Sequence, residues 1–183
     1  DGIDVRNYSK QSLGRNIAMV LQDPFLFTGS IFDNIRYRTI EATQRDVEKA
    51  ARLVGAHNFI SQFPNGYHTL LEEQGRNLSL GQRQLLSFAR ALVADAKILV
   101  LDEATANIDS HTEKEIQLAL KRLLRGRTGI VIAHRLATIR GADRIIVLNN
   151  GRVIENGSHT DLIANKGLYE SLYVLNHSSF DDL

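Results

Sequence analysis

Positions 97–103 carry the most informative segment of the chain, which reads KILVLDE. Its continuous run of Ile, Leu and Val is typical of a strand buried on both faces of a parallel sheet. The run ends in Asp102 and Glu103. Two carboxylates at a strand end suit magnesium–nucleotide chemistry, since one acid can hold the water shell of the metal and the next can orient an attacking water. An acid in this position can also simply cap the following helix, so the segment alone leaves both interpretations open.

Three further apolar runs of similar length occupy residues 16–21, 128–133 and 144–148. Together with residues 97–101, these runs predict a parallel sheet covered by helices. In open α/β sheets, ligands bind outside the carboxyl ends of the strands. Four polar side chains that follow these runs therefore form a candidate site: Gln22, Asp102, Glu103 and His134.

Helical patterns fill the gaps between the runs. Thr43 and Asp46 predict a helix start, and Gly55 predicts its end. Further helices are predicted to begin at Ser110 and Ser158, and a last helix is predicted over residues 167–175. 

Residues 25–94 contain about three helical patterns and no convincing parallel strand, which predicts a helical subdomain inserted into an α/β core. We expect Phe25, Phe27 and Phe32 to lie in the core of this subdomain rather than to stack on a ligand.

Residues 78–82 read LSLGQ and precede a helical pattern. Ser79 and Gln82 have the spacing of a capping box at a helix N-terminus. The same residues also suit an anion site, because a helix N-terminus has free N–H groups, Gly81 allows close approach of the backbone and Ser79 adds a hydroxyl. The two interpretations are compatible.

Five motifs of this sequence resemble those of ATP-binding cassette (ABC) transporter ATPases, and they occur in the same order along the chain. Residues 78–82 resemble the signature motif, and residues 98–103 resemble the Walker B strand. The Q-loop, the D-loop and the switch histidine of that family are similar to residues 22–24, residues 104–109 and His134, respectively. Two further segments resemble those of exporters: residues 72–75, similar to a loop that contacts the membrane domain, and residues 25–31.

This resemblance implies the α/β fold of a P-loop NTPase, with a RecA-like parallel-sheet core and an inserted helical subdomain. It divides residues 1–183, as a partial ABC ATPase domain, into three parts. Residues 1–24 would be a core strand with the Q-loop, and residues 25–94 the helical subdomain with the signature motif. Residues 95–183 would return to the core with Walker B, the D-loop, the switch histidine and C-terminal helices.

The resemblance also implies roles for individual residues, with ATP and Mg²⁺ as cofactors. Glu103 would polarise the hydrolytic water, and His134 would contact the γ-phosphate. Asp102 and Gln22 would bind the metal, and Gln22 would also sense the γ-phosphate. The remaining implied nucleotide contacts come from the signature motif and the D-loop: Ser79, Gly81, Gln82 and Asp109. Asp109 can alternatively be only a helix cap.

Three features depart from the family pattern, and one is the D-loop, where residues 106–109 read ANID instead of the commoner SALD. Leu80 stands where the signature motif usually has glycine, and we expect this to tune rather than abolish its function. The chain also contains no G-x-x-x-x-G-K-[ST] sequence, the loop that cradles the β- and γ-phosphates. We therefore expect a domain without its N-terminal strands and phosphate loop, which alone neither binds ATP tightly nor hydrolyses it. The missing strand would leave exposed sheet edges that favour aggregation or pairing with another chain.

Composition narrows the choice of partners. The formal net charge is +1 with no basic run, which gives no reason to expect a nucleic acid. No apolar run approaches the roughly 20 residues of a membrane-spanning helix. The resemblance implies a second ABC ATPase domain and a transmembrane domain on the same parent chain as partners, at the cytoplasmic face of the membrane. The alternatives are a non-catalytic fragment that donates its signature motif in trans, and a head lobe of a chromosome-maintenance ATPase.

Overall fold

The computed structural model describes residues 2–102, 110–133 and 136–178, which divide into one unit over Asp1–Ile132 and another over Ala133–Leu183. Three of the residues with predicted roles, Glu103, Asp109 and His134, lie outside the described residues. Among the residues described, no helix is long and apolar enough to cross a membrane.

The first unit contains five strands and six α-helices within the described ranges. Three short 3₁₀ turns, Val5–Asn7, Gly66–His68 and Glu73–Gly75, join them. In chain order the elements are α1 (Lys10–Asn16), β1 (Ile17–Val20), β2 (Gly29–Ser30), α2 (Ile31–Arg36), α3 (Gln44–Leu53), α4 (Ala56–Ile60), β3 (Leu70–Leu71), α5 (Leu80–Val93), β4 (Ile98–Asp102), α6 (Ser110–Leu124) and β5 (Thr128–Ile132).

The main sheet of this unit has the order β1-β4-β5, and both strand pairs are parallel. This confirms the parallel sheet predicted from three of the apolar runs. The expectation that these strands are buried on both faces is wrong for β1, where Ala18 is buried but Met19 is 64% exposed. On β5, Ile130 and Ile132 are also more than half exposed. Alternate burial of this kind means that β1 has one covered face.

The helical part of the first unit differs in detail from the sequence-based expectation. Residues 25–94 form four α-helices rather than about three, with a short antiparallel ribbon of β2 and β3. No further parallel strand occurs in this segment, all of which the structure describes, as the sequence predicted. The predicted start of α3 is confirmed, since Thr43 and Asp46 form a capping box, and the chain leaves the helix through Gly55 at φ 81°.

The second unit is built around an antiparallel hairpin. Its elements are α7 (Leu136–Arg140), β6 (Ile145–Asn149), β7 (Arg152–Gly157), α8 (His159–Ala164) and α9 (Leu168–Ser178). The expectation that residues 144–148 join a parallel sheet is wrong, because β6 pairs with β7. Asn150 and Gly151 both have positive φ angles, 48° and 74°, which is the geometry of a two-residue hairpin turn.

Packing in the second unit centres on Val147, Leu162 and Tyr169, which are all buried. The predicted helix start at Ser158 is confirmed by its capping box with Asp161. The last helix is held at its N-terminus by Glu155, whose two carboxylate oxygens accept hydrogen bonds of 2.8 Å from the backbone N–H groups of residues 168 and 169. A carboxylate at a helix N-terminus satisfies free donors and complements the helix dipole.

Candidate functional site

The carboxyl end of the parallel sheet brings together two of the predicted site residues. Val20, the last residue of β1, pairs with Leu101, and Asp102 is the last residue of β4. Gln22 follows β1 by two residues and is exposed, whereas Asp102 is half-buried. Because the two strands are parallel neighbours, Asp102 with its carboxylate and Gln22 with its amide lie at the same edge of the sheet. This edge offers oxygen atoms of the kind that Mg²⁺ prefers.

Asp102 also borders a small internal cavity of about 10 Å³. That volume is about the size needed for a single water molecule. Gln84, a buried residue of α5, also lines this cavity. The complete lining consists of Val20, Gln84, Phe88, Leu101, Asp102, Ile116 and Leu120. Helix α5 is therefore packed directly against the strand end that carries the predicted metal ligand.

Helix α5 begins with the predicted capping box. The hydroxyl of Ser79 accepts a hydrogen bond from the backbone N–H of Gln82 at 3.2 Å, and Oε1 of Gln82 accepts one from the backbone N–H of Ser79 at 3.0 Å. The capping interpretation is thus confirmed. The anion-binding interpretation stays a prediction. At Gln82 an anion would have to share the side chain with the cap, because its Oε1 already accepts a hydrogen bond from the backbone.

Gly81 has a packing role that the sequence did not reveal. It is buried in the first turn of α5, and a Cβ atom at this position would overlap the Cγ2 methyl of Thr112 on α6. The same Cβ would lie 3.7 Å from Cδ1 of Ile116. Close contact between α5 and α6 therefore requires a glycine here, independently of any ligand.

The described residues contain the site only in part. No hydrogen bond within them links Ser79, Gly81 or Gln82 to Gln22 or Asp102. Within the same ranges, no group of three or more His, Asp or Glu side chains could by itself hold a metal ion. This is compatible with Mg²⁺, which is usually held by one or two carboxylates together with waters and substrate phosphates.

An exposed cluster of aromatic rings follows Gln22 in the chain, and we call Phe25, Phe27 and Tyr37 the aromatic surface. The rings of Phe25 and Phe27 meet edge to face at 4.9 Å, and those of Phe27 and Tyr37 are stacked at 5.1 Å. Phe25 is 50% exposed and Phe27 is 42% exposed, so the expectation that both lie in the helical core is wrong. Phe32, in contrast, packs against the core as expected.

Arg90, near the C-terminus of α5, contacts two rings of this aromatic surface. Its guanidinium carbon lies 5.7 Å from the ring centroid of Phe27 and 5.0 Å from that of Tyr37. It donates hydrogen bonds to the backbone carbonyls of Asn34 at 2.8 Å and of Phe25 at 2.9 Å, and to Oδ1 of Asn34 at 3.1 Å. Burial lowers the pKa of Arg90, and the nearby phenol of Tyr37 opposes this shift. Arginine nonetheless stays protonated in proteins.

Asn34 completes the support of the aromatic surface. Its buried side chain accepts a hydrogen bond from the backbone N–H of Phe27 and donates one to the carbonyl of the same residue, both at 2.8 Å. It also donates to the carbonyl of Ser30 at 3.1 Å. Asn34, Gln84 and Arg90 belong to none of the sequence motifs. A polar residue among apolar neighbours on a predicted helix was the available signal for each of them.

Comparisons with known proteins agree on one family. Residues 1–106 match the family model described as ABC transporter. Among curated proteins, the chain is 53% identical over 173 residues to the uncharacterized ABC transporter ATP-binding protein YfiC of Bacillus subtilis, which covers 94% of this chain and 29% of the relative. It is 47% identical over 175 residues to the ATP-dependent lipid A-core flippase of Syntrophus aciditrophicus, covering 96% of this chain and 29% of that protein.

A solved structure extends this similarity to the fold. A bacterial Atm1-family ABC exporter with ATP bound superposes with a TM-score of 0.86 at 39% identity, over 96% of this chain and 31% of the exporter. The chain thus spans less than a third of the length of these relatives. The predicted fold class, an α/β nucleotide-hydrolase core with an inserted helical subdomain, is confirmed by this match.

Proposed function

This chain belongs to the ABC transporter family, and on that premise we propose that it forms the larger part of an ATP-hydrolysing domain that drives export across a membrane. The observation that carries the proposal is the placement of Gln22 and Asp102 at the carboxyl ends of neighbouring parallel strands, with α5 packed against the same strand end. Ligands in α/β sheets bind at this edge.

The residues at the strand ends fit a magnesium nucleotide. The carboxylate of Asp102 and the amide oxygen of Gln22 would hold Mg²⁺ through its waters, and the bound Mg²⁺–ATP would supply the reactive γ-phosphoryl group. Glu103, which follows Asp102 directly, would accept a proton from the attacking water. His134, which follows β5 by two residues in sequence, would stabilise the charge that develops on the phosphoryl oxygens.

The N-terminus of α5 would serve a second nucleotide. Ser79 and the free N–H groups around Gly81 would contact the γ-phosphate held by a second ABC ATPase domain, because a helix N-terminus attracts anions. The capping hydrogen bond leaves the Ser79 hydroxyl proton free to donate. Gln82 would contribute its amide N–H₂, and Asp109 would connect the two sites across the dimer.

The aromatic surface and Gln22 would receive the transmembrane domain. Phe25, Phe27 and Tyr37 expose apolar rings that α5 holds in place through Arg90. Exposed clusters of aromatic rings on a rigid support are typical of protein interfaces. Residues 72–75, which include the exposed carboxylates of two glutamates, would add polar contacts. In this proposal the chain would lie at the cytoplasmic side of the membrane.

The 183 residues alone would not complete this reaction. They contain no phosphate-loop sequence. A charge-assisted hydrogen bond contributes roughly 1.5–3 kcal/mol, and micromolar binding amounts to about 8 kcal/mol in total. Without three or four such bonds, most of the affinity for ATP is lost. The fragment can still donate its α5 N-terminus to an intact partner domain in trans, which is the second candidate function.

The experiment that tests the proposal replaces Glu103 by glutamine in the full-length protein. Removing a general base lowers turnover by a factor of about 10²–10⁴, and we expect ATP binding to persist. Glu115→Gln, an exposed position on α6, is the matched control and should leave turnover unchanged. Unchanged ATPase activity in Glu103→Gln would reject the assigned role. Micromolar ATP affinity of the 183-residue chain by itself would reject its predicted inactivity.

A further inference from the structure

A second charged feature of the first unit lies apart from the strand-end site. A groove of about 470 Å³ runs between α3 and α6, and we call it the basic groove. Its lining contains four cationic side chains and one carboxylate, although the whole chain has a formal net charge of only +1. The lining residues are Arg45, Glu48, Lys49, Arg52, Leu53 and Arg122.

Two of the three cations on α3, Arg45 and Lys49, have no ion-pair partner among the residues that the structure describes. Arg45 and Lys49 are four residues apart on one helix face, where like charges repel. Glu48 is directed to other partners: it accepts a hydrogen bond from Gln44 at 3.0 Å and lies 3.8 Å from the guanidinium of Arg52. Within the part of the chain that the structure describes, neither Arg45 nor Lys49 forms an ion pair.

Asp46, the other acid of α3, is also occupied. Its carboxylate accepts hydrogen bonds from the hydroxyl of Thr43 at 2.6 Å and from the backbone N–H of the same residue at 2.9 Å. These bonds lower the pKa of Asp46, with smaller contributions from Lys49 and Arg45. The capping role of Asp46 therefore fixes its carboxylate at the helix N-terminus.

The cation contributed by α6 is held in position. Nη1 of Arg122 donates a hydrogen bond of 3.0 Å to the carbonyl of Leu53, the last residue of α3. The last carbonyls of a helix have no partner within it, so this contact stabilises both groups. A guanidinium has five N–H donors, and this bond uses one of them. Arg122 thus lines the groove with most of its donors unused by this contact.

We propose that the basic groove binds a compact oligophosphate. Its volume lies in the range of sites for small ligands, about 300–1,000 Å³. Three of its four cations are arginines, whose planar donors match phosphate oxygens in pairs. With four cations and the carboxylate of Glu48, the lining has a net charge of 4 − 1 = +3, and linked phosphates supply compensating negative charge more densely than carboxylates on separate residues. The proposal is independent of the proposed function, because none of the groove residues belongs to the strand-end site or to α5.

Calorimetric titration with inorganic tripolyphosphate tests this proposal, on preparations of the 183-residue chain that size-exclusion chromatography shows to be monodisperse. The groove variant is Arg45→Gln/Lys49→Gln, and the matched control, Lys10→Gln/Arg15→Gln, removes the same charge from exposed positions on α1. We expect saturable binding that weakens about tenfold in the groove variant, equivalent to about 1.4 kcal/mol, and stays unchanged in the control. Binding should also weaken between about 20 mM and 150 mM salt, because exposed charges are screened.

Circular dichroism checks that both variants keep the helical content of the parent, and Lys49→Gln alone provides a milder second variant. A groove variant that binds tripolyphosphate as tightly as the parent would place the anion elsewhere and overturn the proposal. Absence of saturable binding at low salt would do the same. Binding of a glutamate-rich peptide in preference to tripolyphosphate would show that the ligand is an acidic protein segment instead, which also contradicts the proposal.

Discussion

Replacing Arg90 by methionine removes three hydrogen bonds and two cation–π contacts while it keeps a long apolar stem. The three acceptors belong to Phe25 and Asn34, so the substitution disconnects the C-terminal half of α5 from the segment that follows Gln22. The two acceptors on Asn34 are partly buried, and the variant leaves them without their charged donor. We expect the aromatic surface to loosen and the first unit to lose stability.

The size of the effect follows from the contacts. Hydrogen bonds to a charged group contribute about 1.5–3 kcal/mol each, and the low end applies here because the site is partly exposed. Each cation–π contact adds about 0.5–1 kcal/mol. The variant also no longer pays the free-energy cost of burying a guanidinium, a cost that is reflected in the lowered pKa of Arg90. This gain offsets part of the sum. The net expectation is a loss of about 3 kcal/mol, a large share of the 5–15 kcal/mol typical of a domain.

The chain contains no Trp whose fluorescence could report unfolding, so urea denaturation monitored by circular dichroism at 222 nm measures this loss. Arg83→Met is the matched control on the same helix: Arg83 donates one hydrogen bond of 2.8 Å to the nearby carbonyl of Leu78, and we expect a loss of about 1 kcal/mol. Arg90→Lys keeps the charge but not the fork of donors and should lie between the two. Equal stabilities for Arg90→Met and Arg83→Met would refute the assigned role of Arg90.

Three further predictions concern the first unit, two of them on α5 and one at Tyr67. Gly81→Ala should destabilise the chain by about 1–3 kcal/mol in urea denaturation, and Thr112→Ser, which removes the obstructing methyl, should recover part of that loss if the overlap is its cause. Ser79→Ala should cost about 1 kcal/mol in the same assay, whereas Ser79→Asp should retain the cap; equal losses would contradict the capping role. Burial raises the pKa of Tyr67 from 10.0 to about 12, so the stability that its neutral phenol contributes is complete below pH 10 and is lost as the pH rises towards 12. The melting temperature of Tyr67→Phe should therefore fall less than that of the parent between pH 10 and 12, although the variant loses a hydrogen bond of 2.8 Å to His57.

The features that the sequence predicted correctly are those with a local physical cause. The run of residues 98–101 is apolar at every position, and such a run is stable only inside a sheet, where the structure has β4. The helix starts at Thr43, Ser79 and Ser158 depend on contacts between residues three apart, and all three capping boxes are present. The positions of Gln22 and Asp102 then followed from the rule that parallel strands end at the same edge.

The features that the sequence did not predict depend on contacts between distant segments. The run of residues 144–148 predicts a strand, which the structure has as β6, but an apolar run does not encode the direction of its partner. The Asn150-Gly151 turn did carry that information, because only a hairpin requires two consecutive positive φ angles. Phe25 was assigned to the core on hydrophobicity, whereas its backbone contact with Arg90 spans 65 residues. No pattern within a single helix or strand reveals such a pairing.

Helix α5 connects the two surfaces that the proposed function requires. Its 14 residues correspond to about 21 Å, with Ser79 capping one end and Arg90 near the other. Between them, Gln84 borders the cavity next to Asp102, so the middle of the helix lies against the predicted metal ligand. An α-helix moves as a rigid rod over this length. A displacement of the aromatic surface by a membrane domain would therefore act through Arg90 on the whole helix, and would shift the Ser79 end together with the packing around Asp102. If the proposed function holds, coupling between transport and hydrolysis would then require no contact between the aromatic surface and the strand ends.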